Sequence, residues 1–211
     1  MAKLLSSGKD IYKRTIQTYE KLGSKYTKGI KNIKVKEFPE FVKILPKGGR
    51  VLDIGCATGR DSKRFLQKGF KVVGIDLVDS FLREARSDMP QAKFIKMDLF
   101  NLNFPSNYFD AVWANAVLLH IKKKDIPKAL KGFYKILKSK GKLHIRVKQG
   151  KGARYKAERL SVGEKRLFVY FSSSELERLV KKAGFSIIIT RIFPDELRRK
   201  DVKWISLWAE K

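Results

Sequence analysis

The sequence of 211 residues contains little of what disulfide frameworks and zinc sites are built from: one cysteine and two histidines. A single cysteine excludes an internal disulfide, and so few histidine and cysteine ligands argue against a dedicated zinc site, so we expect no metal. No apolar run approaches the roughly 18 residues of a membrane span. The lysine-rich N-terminus lacks the apolar segment of a secretory signal, which predicts a cytoplasmic protein.

Acidic residues are also scarce, because 21 Asp and Glu stand against 48 Lys and Arg, which gives a formal net charge of +27. The excess is uneven: residues 1–50 carry +9, residues 51–110 carry +1 and residues 111–211 carry +17. Positive potential of this kind attracts polyanions or an anionic small molecule. A lysine-rich composition without functional meaning is the alternative interpretation.

The pattern of apolar residues predicts a single α/β domain over residues 1–211, with an N-terminal helical arm at 1–45 and a core at 46–211. Strands are expected near residues 50–54, 71–75, 92–96, 109–114, 141–148, 185–192 and 202–209. Helices are expected near residues 10–26, 37–45, 59–68, 79–87, 124–137 and 173–183.

Three of the predicted strands end on or close to an acid, at Asp53, Asp76 and Asp98. Because the carboxyl ends of parallel strands line the edge of the sheet where ligands bind, we expect these carboxylates to share one edge. The first strand runs directly into a loop of small residues, VLDIGCATGR at 51–60, which lets a backbone approach a ligand just before a helix N-terminus.

An acid about 20 residues after such a loop typically binds the two hydroxyls of a ribose, and Asp76 has this position. Structural roles stay open, since Asp76 also suits a helix N-cap and Asp53 suits a cap for the loop amides. A nicotinamide-binding Rossmann protein is the nearest competing class, but its Gly-x-Gly-x-x-Gly fingerprint is not present.

The motifs GCATG, GIDL and MDL, in this order and spacing, resemble those of class I S-adenosylmethionine (SAM) dependent methyltransferases of the small single-domain type. The similarity continues through NYFD at 107–110, LLH at 118–120 and KSKG at 138–141. The resemblance implies a Rossmann-like seven-stranded sheet in the order 3-2-1-4-5-7-6, mostly parallel with an antiparallel last strand and helices on both faces. It also implies SAM as cofactor and S-adenosylhomocysteine as product.

Carried over position by position, the resemblance assigns contacts to each part of the cofactor. The loop lies beneath the methionine moiety, the second strand ends at the ribose, the third at the adenine and the fourth at the sulfonium. In that order the implied contacts are Asp53, Gly55, Cys56, Ala57 and Gly59; Asp76; Leu77, Asp98 and Leu99; and Ala114 and Asn115. Ala57 stands where the family usually has glycine.

The acceptor wall is expected between strands five and six, with residues 149–171 as an acceptor-side insertion. Residues 138–166 hold eleven basic groups against two acids, which suits phosphates or carboxylates. Interleaved aromatic residues also suit stacking on single-stranded nucleic acid, although residues 167–171 have the alternation of a strand. The candidate substrate contacts are Tyr19, Tyr26, His120, Lys148, Arg154, Tyr155, Arg166 and Tyr170.

Tyr12, Tyr19 and Tyr26 recur at intervals of seven, which places them on roughly one face of the N-terminal helix. The resemblance implies a lid that closes over the cofactor, and simple packing onto the sheet is the alternative. His120 is the candidate catalytic residue, as a general base for acceptors that need one. A structural hydrogen bond within its loop is the alternative role.

Three functional hypotheses follow. The first is a SAM-dependent methyltransferase acting on an anionic small molecule. The second is an RNA methyltransferase, acting on tRNA or rRNA, whose basic arm and residues 138–166 form the RNA footprint. The third is a SAM- or nucleic-acid-binding protein without catalysis, against which the three strand-end acids weigh.

Overall fold

Apolar runs at the predicted positions form one sheet in the computed structural model, which describes residues 8–161 and 163–211. Its strands are β1 (Arg50–Ile54), β2 (Lys71–Asp76), β3 (Lys93–Lys96), β4 (Phe109–Asn115), β5 (Leu137–Lys148), β8 (Ser186–Pro194) and β9 (Lys203–Glu210). The α-helices are α1 (Gly8–Ile30), α2 (Phe38–Lys43), α3 (Arg60–Gln67), α4 (Asp79–Asp88), α5 (Ile126–Ile136) and α6 (Ser173–Lys182). A separate antiparallel hairpin consists of β6 (Ala153–Ala157) and β7 (Lys165–Val169).

The sheet has the order β3-β2-β1-β4-β5-β9-β8. Strands β1 to β5 pair in parallel, whereas β9 is antiparallel to both of its neighbours. Since β8 and β9 are the sixth and seventh strands of this sheet, the predicted order 3-2-1-4-5-7-6 is confirmed. The strand order reverses between β1 and β4, and ligands bind at the carboxyl ends of strands at such a reversal.

Helices cover both faces of the sheet, as alternation of side chains along the strands requires. On one face, α5 and α6 bury Phe133 and Leu176 in the larger core cluster. On the other face, α2 and α3 bury Phe41 and Phe65 around Trp113. Helix α5 begins with Ile126-Pro127, and proline is tolerated there because the first-turn amides have no partner within the helix.

The predicted arm and the predicted insertion pack on each other over the carboxyl edge of the sheet. The Thr15 hydroxyl accepts from the Leu167 amide at 3.2 Å, and the Thr18 hydroxyl donates to the Lys165 carbonyl at 3.0 Å. Both contacts join α1 to β7. Residues 1–7 of the arm and Val162 of the insertion lie outside the described residues.

Helix α1 extends beyond its predicted end, but with a kink at Gly23, where φ is 48° and ψ is −134°. The kink separates Tyr19 from Tyr26, so their common face depends on this bend as well as on helical periodicity. Of the helices within residues 8–161 and 163–211, none has both the length and the apolar composition needed to cross a membrane.

Candidate functional site

A cavity opens at the carboxyl ends of β1, β2 and β4 and is closed on one side by α1. It is called the first cavity below. Most of the residues predicted to contact the cofactor line it: Asp53, Gly55, Cys56, Ala57, Asp76, Leu77, Leu99 and Asn115. The helix α1 contributes Tyr12, Thr15, Ile16, Tyr19, Tyr26 and Ile30 to its wall.

The loop after β1 turns sharply beneath this cavity. Gly55 has φ 67°, and a Cβ there would lie 2.8 Å from Val117 Cγ2, so both the turn and the packing require glycine. The amides of Gly55 and Cys56 donate to the Ile75 carbonyl at 2.8 and 3.0 Å. The loop is therefore tied to the end of β2. Burial raises the pKa of the Cys56 thiol, which makes it a poor nucleophile.

Asp76 joins the loop to the start of α4. Its Oδ2 accepts from the Ala57 amide at 2.9 Å, while its Oδ1 accepts from the amides of Leu77 and Val78 at 2.7 and 3.0 Å. Burial raises the pKa of this carboxyl against the opposing effect of the three amides. Asp76 is not the N-cap of α4, because that position is Val78, which has no side-chain cap. The Asp76 carboxylate instead ties the loop to the end of β2 and lies on the cavity wall.

Asp53 is buried beneath the loop and bonds no loop amide. Instead, its Oδ2 accepts from the Ser62 hydroxyl of α3 at 2.7 Å. Burial and the neighbouring charge of Asp61 raise the pKa of Asp53 to about 7. The interpretation of Asp53 as a cap for the loop amides is therefore wrong, while its place on the wall of the first cavity is as predicted.

Asp61 is a buried carboxylate that the sequence analysis missed. It accepts from Trp113 Nε1 at 3.0 Å, from Asn115 Nδ2 at 2.7 Å and from the Arg60 guanidinium at 2.8 and 2.9 Å. Burial favours its neutral form, but the charge of Arg60 and these hydrogen bonds outweigh burial and hold the pKa well below the usual range. The signal available in the sequence was an acid in the first helical turn, directly after the glycine loop.

A second cavity adjoins the first. The residues that line both cavities form their junction: Tyr19, Tyr26, Ile30, Arg60, Asn115, Ala116 and His120. The second cavity is strongly charged: its basic residues beyond the junction are Arg146, Lys148, Arg166 and Arg199, and its acids are Glu158, Asp195 and Glu196.

Most of the basic groups in the second cavity are paired with an acid. Lys148 pairs with Glu158, Arg199 pairs with Glu158 and Asp195, and Arg146 pairs with Glu196. Burial lowers the pKa of Lys148 to about 8, against the raising effect of Glu158.

Arg166 is the exception, and it is buried to 3% exposure. Its Nε and Nη2 donate to the Ser161 hydroxyl at 3.1 and 2.8 Å, and its Nη1 donates to the Tyr19 hydroxyl. Its guanidinium also lies 4.6 Å from the centre of the Tyr19 ring and 5.1 Å from that of Phe168. Among the described residues its partners are neutral, so this buried cation has no carboxylate bonded to it.

His120 is engaged at both ring nitrogens. Its Nδ1 lies 2.5 Å from the Leu167 carbonyl, which only accepts, so Nδ1 carries the proton and Nε2 accepts from the Tyr19 hydroxyl at 2.7 Å. Burial and the nearby charge of Arg166 lower the pKa of His120 to about 3. The ring is therefore neutral, and its two hydrogen bonds join its loop to β7 and to α1 instead of lying within the loop, as the structural alternative expected.

Several predicted site residues line neither cavity. Arg154 is exposed on β6 with its guanidinium 5.8 Å from the centre of the Tyr170 ring, and Tyr155 packs against the core. Tyr155 lies on the opposite face of the hairpin from Arg166 and Phe168, whereas Arg154 pairs with Phe168 and shares its face but does not line the second cavity. Gly59, Asp98 and Ala114 of the cofactor set also lie off the walls; the Asp98 Oδ1 accepts from the Phe100 amide at 2.9 Å.

Residues 51–141 match a family model described as a methyltransferase domain. A putative methyltransferase of Bacillus subtilis, YqeM, is 33% identical over 102 residues, 46% of this chain and 41% of the relative. A phosphoethanolamine N-methyltransferase of Zea mays is 30% identical over 166 residues, 76% of this chain and 32% of the relative. The chain thus spans less than half the length of these curated relatives.

Solved structures agree on the fold. The structure of 1,6-didemethyltoxoflavin-N1-methyltransferase from Burkholderia thailandensis, with 1,6-didemethyltoxoflavin and S-adenosylhomocysteine bound, superposes with a TM-score of 0.73 at 22% identity. The match covers 100% of this chain and 93% of that one. At this identity the likeness supports the fold alone.

Proposed function

The chain carries a methyltransferase domain with the fold of the class I SAM-dependent enzymes, and from this premise we propose that it transfers a methyl group from SAM to a small anionic acceptor. The observation that carries the proposal is the pair of joined cavities, in which a buried guanidinium without a carboxylate partner lies on the far side of the junction. The acceptor belongs in the second cavity and the donor in the first.

The residues of the first cavity fit SAM. Acids at the ends of β1 and β2 suit the cationic amino group and the ribose hydroxyls, and Leu77, Val78 and Leu99 give an apolar wall for adenine. The Oδ1 of Asn115, at the end of β4, is buried without a hydrogen-bond partner among the described residues, which suits a wall that contacts a bound ligand. Bound SAM would supply a methyl group activated by the sulfonium charge, so the protein has mainly to bind and align the acceptor.

An anionic acceptor is favoured by Arg166. A buried cation is costly unless a counter-charge or hydrogen bonds satisfy it, and an incoming carboxylate or phosphate is the missing partner. His120 keeps the Tyr19 hydroxyl pointing toward its own Nε2, so the Tyr19 oxygen is free to accept from Arg166. These two hydrogen bonds position the guanidinium of Arg166, and α1 excludes water from the junction. The curated relative of Zea mays is named for a phosphorylated amine, which agrees with an anionic acceptor.

RNA is the second candidate acceptor, and the exposed face of the hairpin favours it. Arg154 lies beside Tyr170, and Lys151 and Arg154 are exposed outside both cavities. Basic and aromatic side chains in this combination bind single-stranded nucleic acid. The buried position of Arg166 favours the small acceptor, because a polynucleotide reaches a deep cavity only through a nucleotide turned out of its strand.

The donor half of the proposal is tested by thermal unfolding with SAM. Saturating ligand at 100 times its Kd stabilises the folded state by about 2.7 kcal/mol, which raises the Tm by several degrees. We expect this shift for the wild type and its loss in Asp76→Ala. Asp79→Ala, which removes a partly exposed acid of the same strand–helix junction, is the control and should keep the shift. A wild type that SAM does not shift would contradict the assignment of the cofactor.

The acceptor half is tested by transfer from labelled SAM to a metabolite extract or to total RNA. We expect label in an anionic small molecule, and we expect Arg166→Leu to lose at least tenfold in transfer at low acceptor concentration, since a charge-assisted contact is lost. Arg154→Leu makes the same chemical change outside the cavities and should transfer normally. Label appearing only in RNA would reject the small acceptor.

A further inference from the structure

Among the described residues at the junction of the two cavities, one buried polar side-chain atom has no hydrogen-bond partner. The Tyr19 hydroxyl and His120 bond each other, and Arg60 is held by Asp61. The Oδ1 of Asn115 is buried and accepts no hydrogen bond from a described residue. A buried acceptor without a partner is rare in folded proteins, and at a ligand site it indicates a donor on the ligand.

Asp61 fixes which end of the Asn115 amide remains unpaired. Its Oδ2 lies 2.7 Å from the Asn115 amide, and the ionised carboxylate accepts but cannot donate. The NH₂ group must therefore face Asp61, and the carbonyl oxygen must be the end left for a ligand. Trp113 and Arg60 hold Asp61 in place with three further hydrogen bonds, so the amide has a rigid base.

We propose that Asn115, oriented by Asp61, accepts a hydrogen bond from an N–H or O–H of the methyl acceptor, and that this pair selects a nitrogen or oxygen nucleophile. The inference rests on the proposed function. Asn115 is the catalytic residue of the pair, because it contacts the acceptor, and Asp61 is a positioning residue. One hydrogen bond from the nucleophile to a fixed carbonyl leaves its lone pair to face the methyl group. A carbon or thioether nucleophile offers no such donor.

The acceptor is unidentified, so the test uses two cofactor analogues of known structure. Sinefungin carries a protonated amine where SAM carries the transferred methyl group, and both ligands are cationic at that place. Only sinefungin offers N–H donors to the junction. The ratio of their dissociation constants, measured by calorimetry without any acceptor, therefore reports the hydrogen bond to Asn115 while the charge stays constant.

We expect the wild type to bind sinefungin about tenfold more tightly than SAM. Asn115→Leu, which keeps the volume, and Asn115→Ala should both reduce this preference to about one while SAM still binds. Asp61→Asn should reduce it as well, because an amide at position 61 can donate and allows the Asn115 amide to reverse. Thr190→Val is the matched control: it removes another buried polar atom without a partner, far from the cavities on β8, and should leave the preference unchanged.

The outcomes separate this inference from the function on which it rests. A wild type that binds neither ligand overturns the proposed function. Binding of both ligands without a preference for sinefungin, or a preference that survives in both Asn115 variants, overturns the role of Asn115 and leaves the SAM site standing. A preference that survives in Asp61→Asn alone overturns the positioning role of Asp61.

Discussion

The carboxylates of Asp53, Asp61 and Asp76 near the glycine loop differ in pKa because they differ in partners. Asp61 has a guanidinium and two neutral donors around it, Asp76 has three backbone amides, and Asp53 has one hydroxyl. The sequence predicts that Asp53 and Asp76 reach the same edge, because topology alone decides that. It does not predict their partners, since these depend on which helix residue faces back toward the strand end.

The same limit explains why the sequence does not point to Asp61 and Arg60, and why it does not show the hydrogen bond that Asp98 makes. Asp61 reaches the site through contacts with Trp113 and Asn115, which are more than 50 positions away in the sequence. Asp98 follows β3 as expected, but its side chain turns back to the Phe100 amide instead of lining the first cavity. Residue types and spacing place an acid at a strand end; the loop that follows decides its direction.

Asp53 makes the stability of the protein depend on pH in an unusual direction. Its pKa is raised to about 7 in the folded state, against an ordinary value near 3.9 in the unfolded chain. Between these values the folded state binds the extra proton, so the contribution of Asp53 to stability falls as the pH rises from about 4 to about 7. The amide in Asp53→Asn does not titrate. Over this range the free energy of unfolding of Asp53→Asn should therefore rise relative to that of the wild type, by up to roughly 4 kcal/mol.

The measurement is urea unfolding of both proteins at pH 5 and pH 8, and the quantity compared is the difference in unfolding free energy. Asp79→Asn is the control: Lys96 lowers the pKa of Asp79, so this carboxylate is ionised in the folded and unfolded states at both pH values, and its difference from the wild type should stay constant. A difference between Asp53→Asn and the wild type that stays constant from pH 5 to pH 8 would show that Asp53 titrates normally.

At the scale of elements, periodicity and capping residues predict most of the fold. Strand positions and the start of α6 follow from the sequence: the Ser172 hydroxyl accepts from the Glu175 amide at 3.1 Å, as an N-cap does. The hairpin of β6 and β7 was predicted only in part, as an alternating strand at 167–171, whereas β7 spans Lys165–Val169. The register of the hairpin depends on contacts with α1. These contacts join residues about 150 positions apart, so local sequence patterns do not reveal them.

The kink in α1 is a second element that periodicity does not predict. Gly23 has a backbone conformation that only glycine adopts readily, and a Cβ there would meet no atom within 4 Å. The effect of Gly23→Ala should therefore come from the backbone alone, at a cost of about 1–3 kcal/mol. It should also move Tyr26 relative to Tyr19, whose ring centres are 4.9 Å apart, and so weaken SAM-induced stabilisation.

Thermal unfolding of Gly23→Ala with and without SAM measures both effects. Ser24→Ala changes the neighbouring exposed residue without touching the kink and should unfold within about 0.5 kcal/mol of the wild type. If Gly23→Ala is as stable as Ser24→Ala and responds equally to SAM, the bend at Gly23 has no part in closing the cavity.

For the molecule as a whole, the excess positive charge and the first cavity lie on different segments of the chain. The segment that supplies most of the first cavity, residues 51–110, carries +1, while the segments on either side carry +9 and +17. In the second cavity most basic groups are neutralised by acids, so the excess charge lies on exposed residues. Counting charges along the sequence detects the excess but does not separate paired from exposed groups, which requires the fold.

We expect this exposed charge to bind polyanions independently of the cofactor site. Binding to single-stranded RNA should weaken steeply with salt, by roughly 10³-fold between 50 and 200 mM if six phosphates are contacted. Replacing Lys151 and Arg154 together by alanine should lower both the affinity and the salt slope, because each lost phosphate contact reduces the slope by about one. Lys63→Ala on α3 together with Lys68→Ala directly after it, in the near-neutral segment, is the matched control. Salt-insensitive binding, or an equal effect of both pairs, would contradict a phosphate-binding face on the hairpin.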